Sequence, residues 1–591
     1  MDNKALLFYR DKLNTLSKEV NKYNNINRYT AAAKLVSFVF AVGLFIFWYF
    51  NSIFNIIFLI VPFLIYIFLV IFGQKYIDLY ASYKSLYELI SDEISFFNKD
   101  YKVFRPNTHF IDYNYNHNYT YDLDIFEKGA IYHSINRCTT ADGEELLKYL
   151  LLNPKRNNEY IINMQDSVKE MIPLRELSHN ISSISYKNPV SLDNFIKTVS
   201  KDINPPKKAA VIYAYISASI TILSLTAYGF GLIPSFIPLG LFIYQFTTAS
   251  LFAKKTNDEY AKLNKADNAS KIYILISETI KNTDFQSEML KSIKKDICAF
   301  SSKIKELQKI NREFDQRNSG LYYLISNGLF LKDIILSYKI NKWIKENIND
   351  IPAWNKAVSY IDVINSISVF GYNNSDFIFP IINDNTIIKT ENMSHPLIDS
   401  QKRIGNNIEI SKTHKFLIIT GANMAGKSTF IRSIGVNLIL ASMGAPVCAS
   451  YFEFSSVDIF SSMRTSDKLM DSSSYFHAEL QRLKLLKEKA KKSDNMLVLL
   501  DEILKGTNSQ DKLQGSKLVL LKFVKLNITG ILATHDTALG SMAEEYKENF
   551  ENYFFDFDID ESGEMHFDYK LKKGVSNNMN ASILLKNVLS D

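Results

Sequence analysis

The sequence predicts a mixed α/β domain at its C-terminal end, joined to a region of long helices and to two transmembrane helical hairpins. Three observations carry that prediction. The run Leu417-Ile418-Ile419-Thr420 reads as a buried strand; it is followed by a glycine-bounded loop and then by Ile431, Ile434 and Leu438 at helical spacing. Residues 35–74 and 209–253 contain no Asp, Glu, Lys or Arg. Residues 254–370 are charged and helical in pattern, and nearly free of Gly and Pro as far as Gly320.

The first of these is chemically specific. Gly421-Ala422-Asn423-Met424-Ala425-Gly426-Lys427-Ser428, followed by Thr429, has the spacing G-x-x-x-x-G-K-S between a strand and a helix, the context that turns the pattern into a P-loop. Successive backbone N–H groups and the positive end of the following helix form a concave anion site. Gly421 and Gly426 let the chain turn and approach phosphate without a Cβ in the way. Lys427 is expected to reach the β- and γ-phosphates of ATP, and the Ser428 hydroxyl to ligate Mg2+. The bland alternative is a glycine-containing turn with no ligand; the flanking strand and helix argue against it.

Downstream, Asn495-Met496-Leu497-Val498-Leu499-Leu500 is an apolar strand ending in Asp501-Glu502. Asp501 is expected to hold Mg2+ through its water shell, and Glu502 to orient the attacking water. A third strand, Gly530-Ile531-Leu532-Ala533-Thr534, ends at His535-Asp536, where an α/β sheet exposes its ligand edge. His535 is read there as a γ-phosphate sensor, with a surface histidine as the alternative. Ser472-Ser473-Ser474 opens a helix through Tyr475, Phe476, His477, Ala478 and Glu479. A hydroxyl cluster at a helix N-terminus is either an ordinary cap or a second anion site, one that would reach a partner's nucleotide in a dimer.

Composition bounds the rest. The chain has 591 residues and is 47% hydrophobic, so several domains with sizeable cores are expected. A net charge of +6 is too mild over this length to establish a nucleic-acid partner. The three cysteines, Cys138, Cys298 and Cys448, are too far apart for a disulfide framework or a CxxC metal site and fit a reducing compartment.

Residues 1–34 are polar and basic, without a signal-peptide cleavage pattern. Residues 35–74 supply roughly 40 mostly apolar residues, enough for two spans of about 20, with Asn51, Ser52 and Asn55 marking the turn. Residues 209–253 repeat the pattern around Gly229, Gly231, Pro234 and Pro238. Buried core helices would share this composition, but an uncharged run of this length favours membrane. Neither turn carries Lys or Arg, whereas Lys34, Lys75, Lys207, Lys208, Lys254 and Lys255 flank the hairpins. The positive-inside rule then puts every flank, and the α/β domain, in the cytoplasm, making this a multi-pass protein of the cytoplasmic membrane. Between the hairpins, Thr139 or Thr140 is expected to cap a helix carrying Leu146, Leu147, Leu150 and Leu151, with helical pattern continuing through Met164–Lys169. Basic residues from Lys294 to Arg312 interleave with acids and read by default as a solvated helix face.

Together these motifs resemble a family. Thr420–Thr429, with its Asn423-Met424 pair, is similar to the P-loop of the MutS mismatch-repair ATPases. Asp501-Glu502-Ile503-Leu504-Lys505-Gly506-Thr507 resembles their Walker B run, Ala533-Thr534-His535 their A-T-H strand end, and Ser474-Tyr475-Phe476-His477-Ala478-Glu479 their signature loop, with Tyr475 departing from Thr. His395-Pro396 and the closing segment Tyr569–Ser576 also match, and Asn136-Arg137-Cys138-Thr139-Thr140 through Leu150 is similar to the start of the lever. The resemblance is close over 390–591 and partial over 120–370. It implies an ABC-type ATPase, homodimeric through composite ATP sites, in which ATP clamps DNA. Asn423 and Lys427 would contact phosphate and Ser474 would act in trans on the partner's ATP.

The departures are informative. No F-x-E mismatch wedge occurs in these residues, the first hundred residues are expected to hold a hairpin, the second hairpin to interrupt the lever, and the segment after the ATPase to leave no room for a nuclease tail. The expected organisation is a basic segment (1–34), hairpin 1 (35–74), core and lever helices (75–208), hairpin 2 (209–253), further lever helices (254–377) and an ATPase domain (378–591). The expected function is that of a membrane-tethered, DNA-binding ATPase related to mismatch repair. The alternative is a membrane ATPase whose nucleotide-driven dimerisation moves a membrane or protein partner, with no DNA role. An ABC transporter is disfavoured by the lack of an LSGGQ run.

Overall fold

The computed structural model describes residues 4–51, 57–97, 117–154, 157–193, 197, 206–384, 386–411, 416–464, 475–493, 495–505, 508–526, 528–559 and 565–575. It begins with two long helices, α1 (Lys4–Asn51) and α2 (Ile57–Phe97). They run antiparallel: the Tyr23 ring stacks on Tyr83 and the Phe38 ring lies against Tyr66. Helix α1 is 48 residues long, about 72 Å at 1.5 Å per residue, more than twice a bilayer's hydrocarbon thickness. It continues unbroken through position 34, because Lys and Asn change the polarity of a helix face without interrupting its hydrogen bonds. The Asn51–Asn55 turn of the sequence reading falls largely on residues outside those described.

The two ends of this pair differ in what they bury. Near the termini, Ala5, Tyr9 and Leu16 pack with Leu86, Leu89 and Ile90. Toward the turn, Val36, Phe40, Ile46, Val61, Leu64 and Phe68 are all exposed, a surface that water disfavours and lipid accepts. The second pair, α7 (Lys208–Gly229) and α8 (Phe236–Lys281), repeats this. Ala214 and Ala249, one from each helix, belong to one buried cluster, small residues that permit close approach. Gln245, fully buried, donates to Ser217 Oγ (2.9 Å) and Thr221 Oγ1 (2.6 Å) across the interface. Among the described residues, four helical stretches are long and apolar enough to cross a membrane: Lys4–Trp48, Val61–Phe97, Lys208–Gly229 and Phe236–Ala261.

Between the pairs lie α3 (Ile131–Ile135), α4 (Ala141–Leu152), α5 (Asn158–Met171) and α6 (Arg175–Ser183). The expected cap at Thr140 is present, its hydroxyl accepting from Gly143 N at 3.0 Å. The expected continuous helical pattern instead breaks at Asn153-Pro154, where proline removes a donor, and resumes with Asn157 capping α5. After α8 come α9 (Glu288–Arg317), α10 (Gly320–Phe330), α11 (Lys332–Asn347) and α12 (Ile351–Asn373).

Helix α12 is the hub of the helical region, buried over most of its length. Its Asp362, with no exposed surface, accepts from Thr139 N (2.9 Å), Thr140 N (2.8 Å) and Thr140 Oγ1 (2.7 Å). At its end Asn373 donates to Glu93 of α2 (3.0 Å) and accepts from Tyr9 of α1 (2.8 Å). Glu93 also pairs with Arg137, both almost wholly buried.

The C-terminal part holds two sheets. The smaller has the order β1 (Ile381–Ile382), β5 (Tyr451–Phe454), β2 (Thr386–Met393), β3 (Asn406–Ser411). The larger has the order β10 (Met565–Lys573), β9 (Phe550–Ile559), β4 (Phe416–Gly421), β8 (Thr529–Ala533), β7 (Met496–Asp501), β6 (Asp458–Ser462). Its strands are parallel except for β10, so the mixed sheet expected from the sequence is present. Helices α13 (Lys427–Ser442), α14 (Tyr475–Ala490), α15 (Ser509–Lys525) and α16 (Ser541–Glu545) belong to this part of the chain.

Replacing Asp362 by Ala orphans several buried donors at once. The expected loss is about 3 kcal/mol or more, since each orphaned donor costs about 1–3 kcal/mol. Thermal unfolding of the detergent-extracted protein measures it; an unchanged midpoint would contradict the role given to this carboxylate.

Candidate nucleotide-binding site

Every residue of β4 is buried, held between β8 and β9. The strand ends at Gly421, where φ is +147° and a Cβ would lie 2.5 Å from the Phe555 carbonyl oxygen, so a side chain has no room. Gly426, at φ +103°, reverses the chain into α13. Met424 between them also has positive φ and is 85% exposed.

Lys427 is 6% exposed and donates to the carbonyls of Gly421 (2.7 Å) and Ala422 (2.8 Å). Burial lowers its pKa, against the opposing charges of Asp501 and Glu502. Next to it Ser428 Oγ donates to Asp501 Oδ2 at 2.5 Å. No side chain caps α13, which leaves the N–H groups of its first turn directed at the cavity mouth.

The far wall is built by two strand ends. In the parallel register Ile419 lies beside Ala533, and Ala533 beside Asp501. Glu502 follows at φ +56°, its N–H donating to the Ala533 carbonyl at 2.9 Å. A left-handed glutamate is a strained conformation of the kind that collects at functional sites. Its carboxylate contacts His535 Nδ1, and Lys505 Nζ lies 4.0 Å away. Burial raises the Glu502 pKa; the hydrogen bond and charge of His535, helped by Lys505 and Lys512, outweigh it and leave the pKa below its ordinary value.

The cavity has a volume of about 940 Å³. Gly421 through Thr429, Asp501, Glu502 and His535 all line it, so the structure brings these expected site residues together. Ser474 lies outside the described residues. The arrangement offers a dense set of donors for an anion, two adjacent oxygens suited to a hard cation, and a carboxylate–imidazole pair beside them. Ser428 and Asp501 fit Mg2+, which takes one or two protein oxygens when substrate phosphates supply the rest.

Other contributors were not assigned by local pattern. Met393, Ile404, Phe555 and Tyr569 give the cavity an apolar side. The Tyr569 ring covers Gly426, at 3.1 Å from where a Cβ would stand. Glu479, 6% exposed, accepts from Leu504 N (2.5 Å) and Lys505 N (3.1 Å) and so holds the turn after Asp501-Glu502. The segment around Asp122 and Asp124 straps this domain: Arg464 reaches Asp124 at 2.5 and 2.7 Å, and Ser461 Oγ donates to Asp122 at 2.6 Å. The helical pattern around Glu479 was visible in the sequence, but its distant partner was not.

A buried parallel strand, a glycine loop opening a helix and an acidic pair on a nearby parallel strand define a P-loop nucleotide-binding domain. Comparison with known proteins narrows this further. Residues 417–584 match the family model described as MutS domain V. A DNA mismatch repair protein MSH3 of Vanderwaltozyma polyspora is 30% identical over 271 residues, covering 43% of this chain and 26% of the relative. A DNA mismatch repair protein MutS of Leuconostoc mesenteroides is 28% identical over 242 residues, 40% of this chain and 28% of the relative. MutS protein homolog 4 of Homo sapiens is 28% identical over 314 residues, 51% and 32% of the two chains. The matches span about a quarter to a third of the length of these curated relatives. Over this domain the chain is similar to MutS-family proteins.

His535 holds the Glu502 carboxyl down against burial. In His535→Ala only the charges of Lys505 and Lys512 still oppose burial and the Glu502 pKa rises, so the acid limb of any pH–rate profile that depends on ionised Glu502 moves to higher pH. An acid limb at the wild-type position would show that the two side chains are not coupled.

Proposed function

We propose that this chain is a Mg2+-dependent ATPase of the MutS type, tethered to the cytoplasmic membrane by two helical hairpins, dimeric through its nucleotide sites and acting on DNA. The observation that carries the ATPase reading is the convergence of Lys427, Ser428, Asp501, Glu502 and His535 at the ends of three adjacent parallel strands. Phosphoryl transfer to water asks for positioning and charge stabilisation more than for covalent chemistry. The N–H groups of the loop and of α13, with Lys427, would take the negative charge of the phosphates. Asn423, on the same loop, would add a phosphate contact. Ser428 and Asp501 would hold Mg2+, whose chemistry there is to neutralise negative charge on the phosphates. Glu502, kept ionised by His535, would orient the attacking water, while His535 faces the γ-phosphate.

The membrane part is supported by the exposed apolar faces of both hairpins and by the lysines that flank them. DNA is the ligand to which the relatives' names point, and dimerisation with Ser474 acting in trans follows from the resemblance of the signature loop.

Glu502→Gln is expected to lower kcat by about 10²-fold or more while ATP still binds. With ATP and Mg2+ that variant should sediment as a long-lived dimer; a monomer with ATP bound would rule out composite sites. For DNA, the purified protein should retain duplex at low salt, with log affinity falling by about 0.9 per phosphate contact for each decade of salt. No retention of homoduplex or heteroduplex, with hydrolysis intact, would remove DNA and leave an ATPase that works on a membrane or protein partner.

A further inference from the structure

Helix α10 (Gly320–Phe330) is not among the four candidate spans, and at 11 residues it is too short to be one. Its composition nevertheless differs from its surroundings. No Asp, Glu, Lys or Arg occurs between Arg317 and Lys332, inside a region otherwise dense in charge. Leu321, Leu324, Ile325 and Phe330 are 70%, 41%, 43% and 41% exposed. Leu321, Leu324 and Ile325 stand at i, i+3 and i+4 and so share one face. Ser326 and Asn327, on the other side of the helix, are buried, as is Gly328, which follows Leu324 and Ile325 by one turn on their own face. Over its first two turns the helix therefore presents large apolar residues outward, while the small and polar residues that follow face protein.

What it packs on explains this arrangement. A Cβ on Gly328 would lie 2.2 Å from the Phe242 ring, and the Tyr323 ring meets Phe246 edge-on at 5.9 Å. Phe242 and Phe246 belong to the uncharged part of α8, 12 and 8 residues before Lys254. At 1.5 Å per residue those positions lie about 18 and 12 Å along the helix from that lysine. The clip is closed at its base: Arg317 reaches Asp333 through Nε (2.7 Å) and Nη2 (2.6 Å), and Asn327 Nδ2 donates to Asp333 at 3.0 Å. After the clip, Leu331, Ile334 and Ile335 join Ala214 and Ala249 of the second hairpin in one buried cluster.

We propose that α10 is a fifth membrane element, a short helix seated in the cytoplasmic leaflet beside the second hairpin, with Leu321, Leu324 and Ile325 in contact with lipid. The inference rests on the reading of that hairpin as membrane-spanning. The occupant of the exposed face is lipid because the face continues the exposed apolar surface of α8, on which Leu239 and Ile243 also point outward. Apolar faces of this kind bury at the boundary of headgroups and acyl chains. The consequence is mechanical: α9 and α11, which lead into and out of the clip, are tied to the bilayer at their near ends, so the long helices that reach toward the ATPase domain start from a membrane-fixed point.

The test uses the full chain in phosphatidylcholine vesicles, with Cys298→Ser to leave only the buried Cys138 and Cys448. A polarity-sensitive fluorophore is placed in turn on Leu324→Cys, on Leu223→Cys in the hairpin and on Lys295→Cys on the exposed face of α9, and is quenched by doxyl-labelled lipid. The expected result is quenching at 324 within a factor of about two of that at 223, as for a partly inserted helix, with none at 295. Quenching at 223 without quenching at 324 overturns the fifth element and leaves the hairpin standing. Absence of quenching at both 223 and 324 overturns the hairpin reading, and the proposal with it.

Discussion

The site depends on the parallel register of β4, β8 and β7. Because those strands run in one direction and end level with one another, three separate stretches deliver their chemistry to one edge. Ile419, Ala533 and Asp501 stand in a row across the sheet, and the residues that follow them form the cavity wall. A one-residue slip of β7 against β8 would turn Asp501 to the opposite face and separate it from Ser428. The buried faces on both sides of the sheet prevent that slip: β4, β8 and nearly all of β7 have no exposed residue.

A second constraint joins this sheet to the rest of the chain. Helix α12 leads into the small sheet and is gripped at several heights by elements from the N-terminal half. Asp362 holds the cap of α4, Ser366 Oγ accepts from Arg137 N at 3.2 Å, and Asn373 meets both long helices of the first hairpin. These are buried polar contacts in which each partner needs the other, so α12 and its neighbours move together or not at all. Movement in the α/β domain therefore has a stiff path to the base of the first hairpin through α12.

Much of the site was legible because its signals are local. Gly421, Gly426, Lys427 and Ser428 sit within eight residues and Asp501-Glu502 is a strand end, so spacing alone points to their chemistry. The uncharged runs were equally legible, since length and lack of charge need no partner to interpret. What stayed hidden depends on pairings between distant stretches. Phe555 and Tyr569 reach the P-loop only because β9 inserts next to β4, a strand order that no periodicity encodes. Glu479 shows its value only beside the N–H groups of Leu504 and Lys505. Helix α10 was masked by its length, and α1 hid the continuity of the polar stalk with its apolar end because both halves are good helix. Ser474 stands outside the described residues, and its action in trans rests on resemblance alone.

The central claim is that the α/β domain turns over ATP by the chemistry of its strand-end carboxylates. The most direct measurement is single-turnover release of phosphate from ATP by the full chain in lipid nanodiscs, with and without Mg2+. Release that requires Mg2+ and leaves ADP on the protein is the expected result. Tight ATP binding by the wild-type chain with no release of phosphate, in Mg2+ and in the presence or absence of duplex DNA, would contradict it.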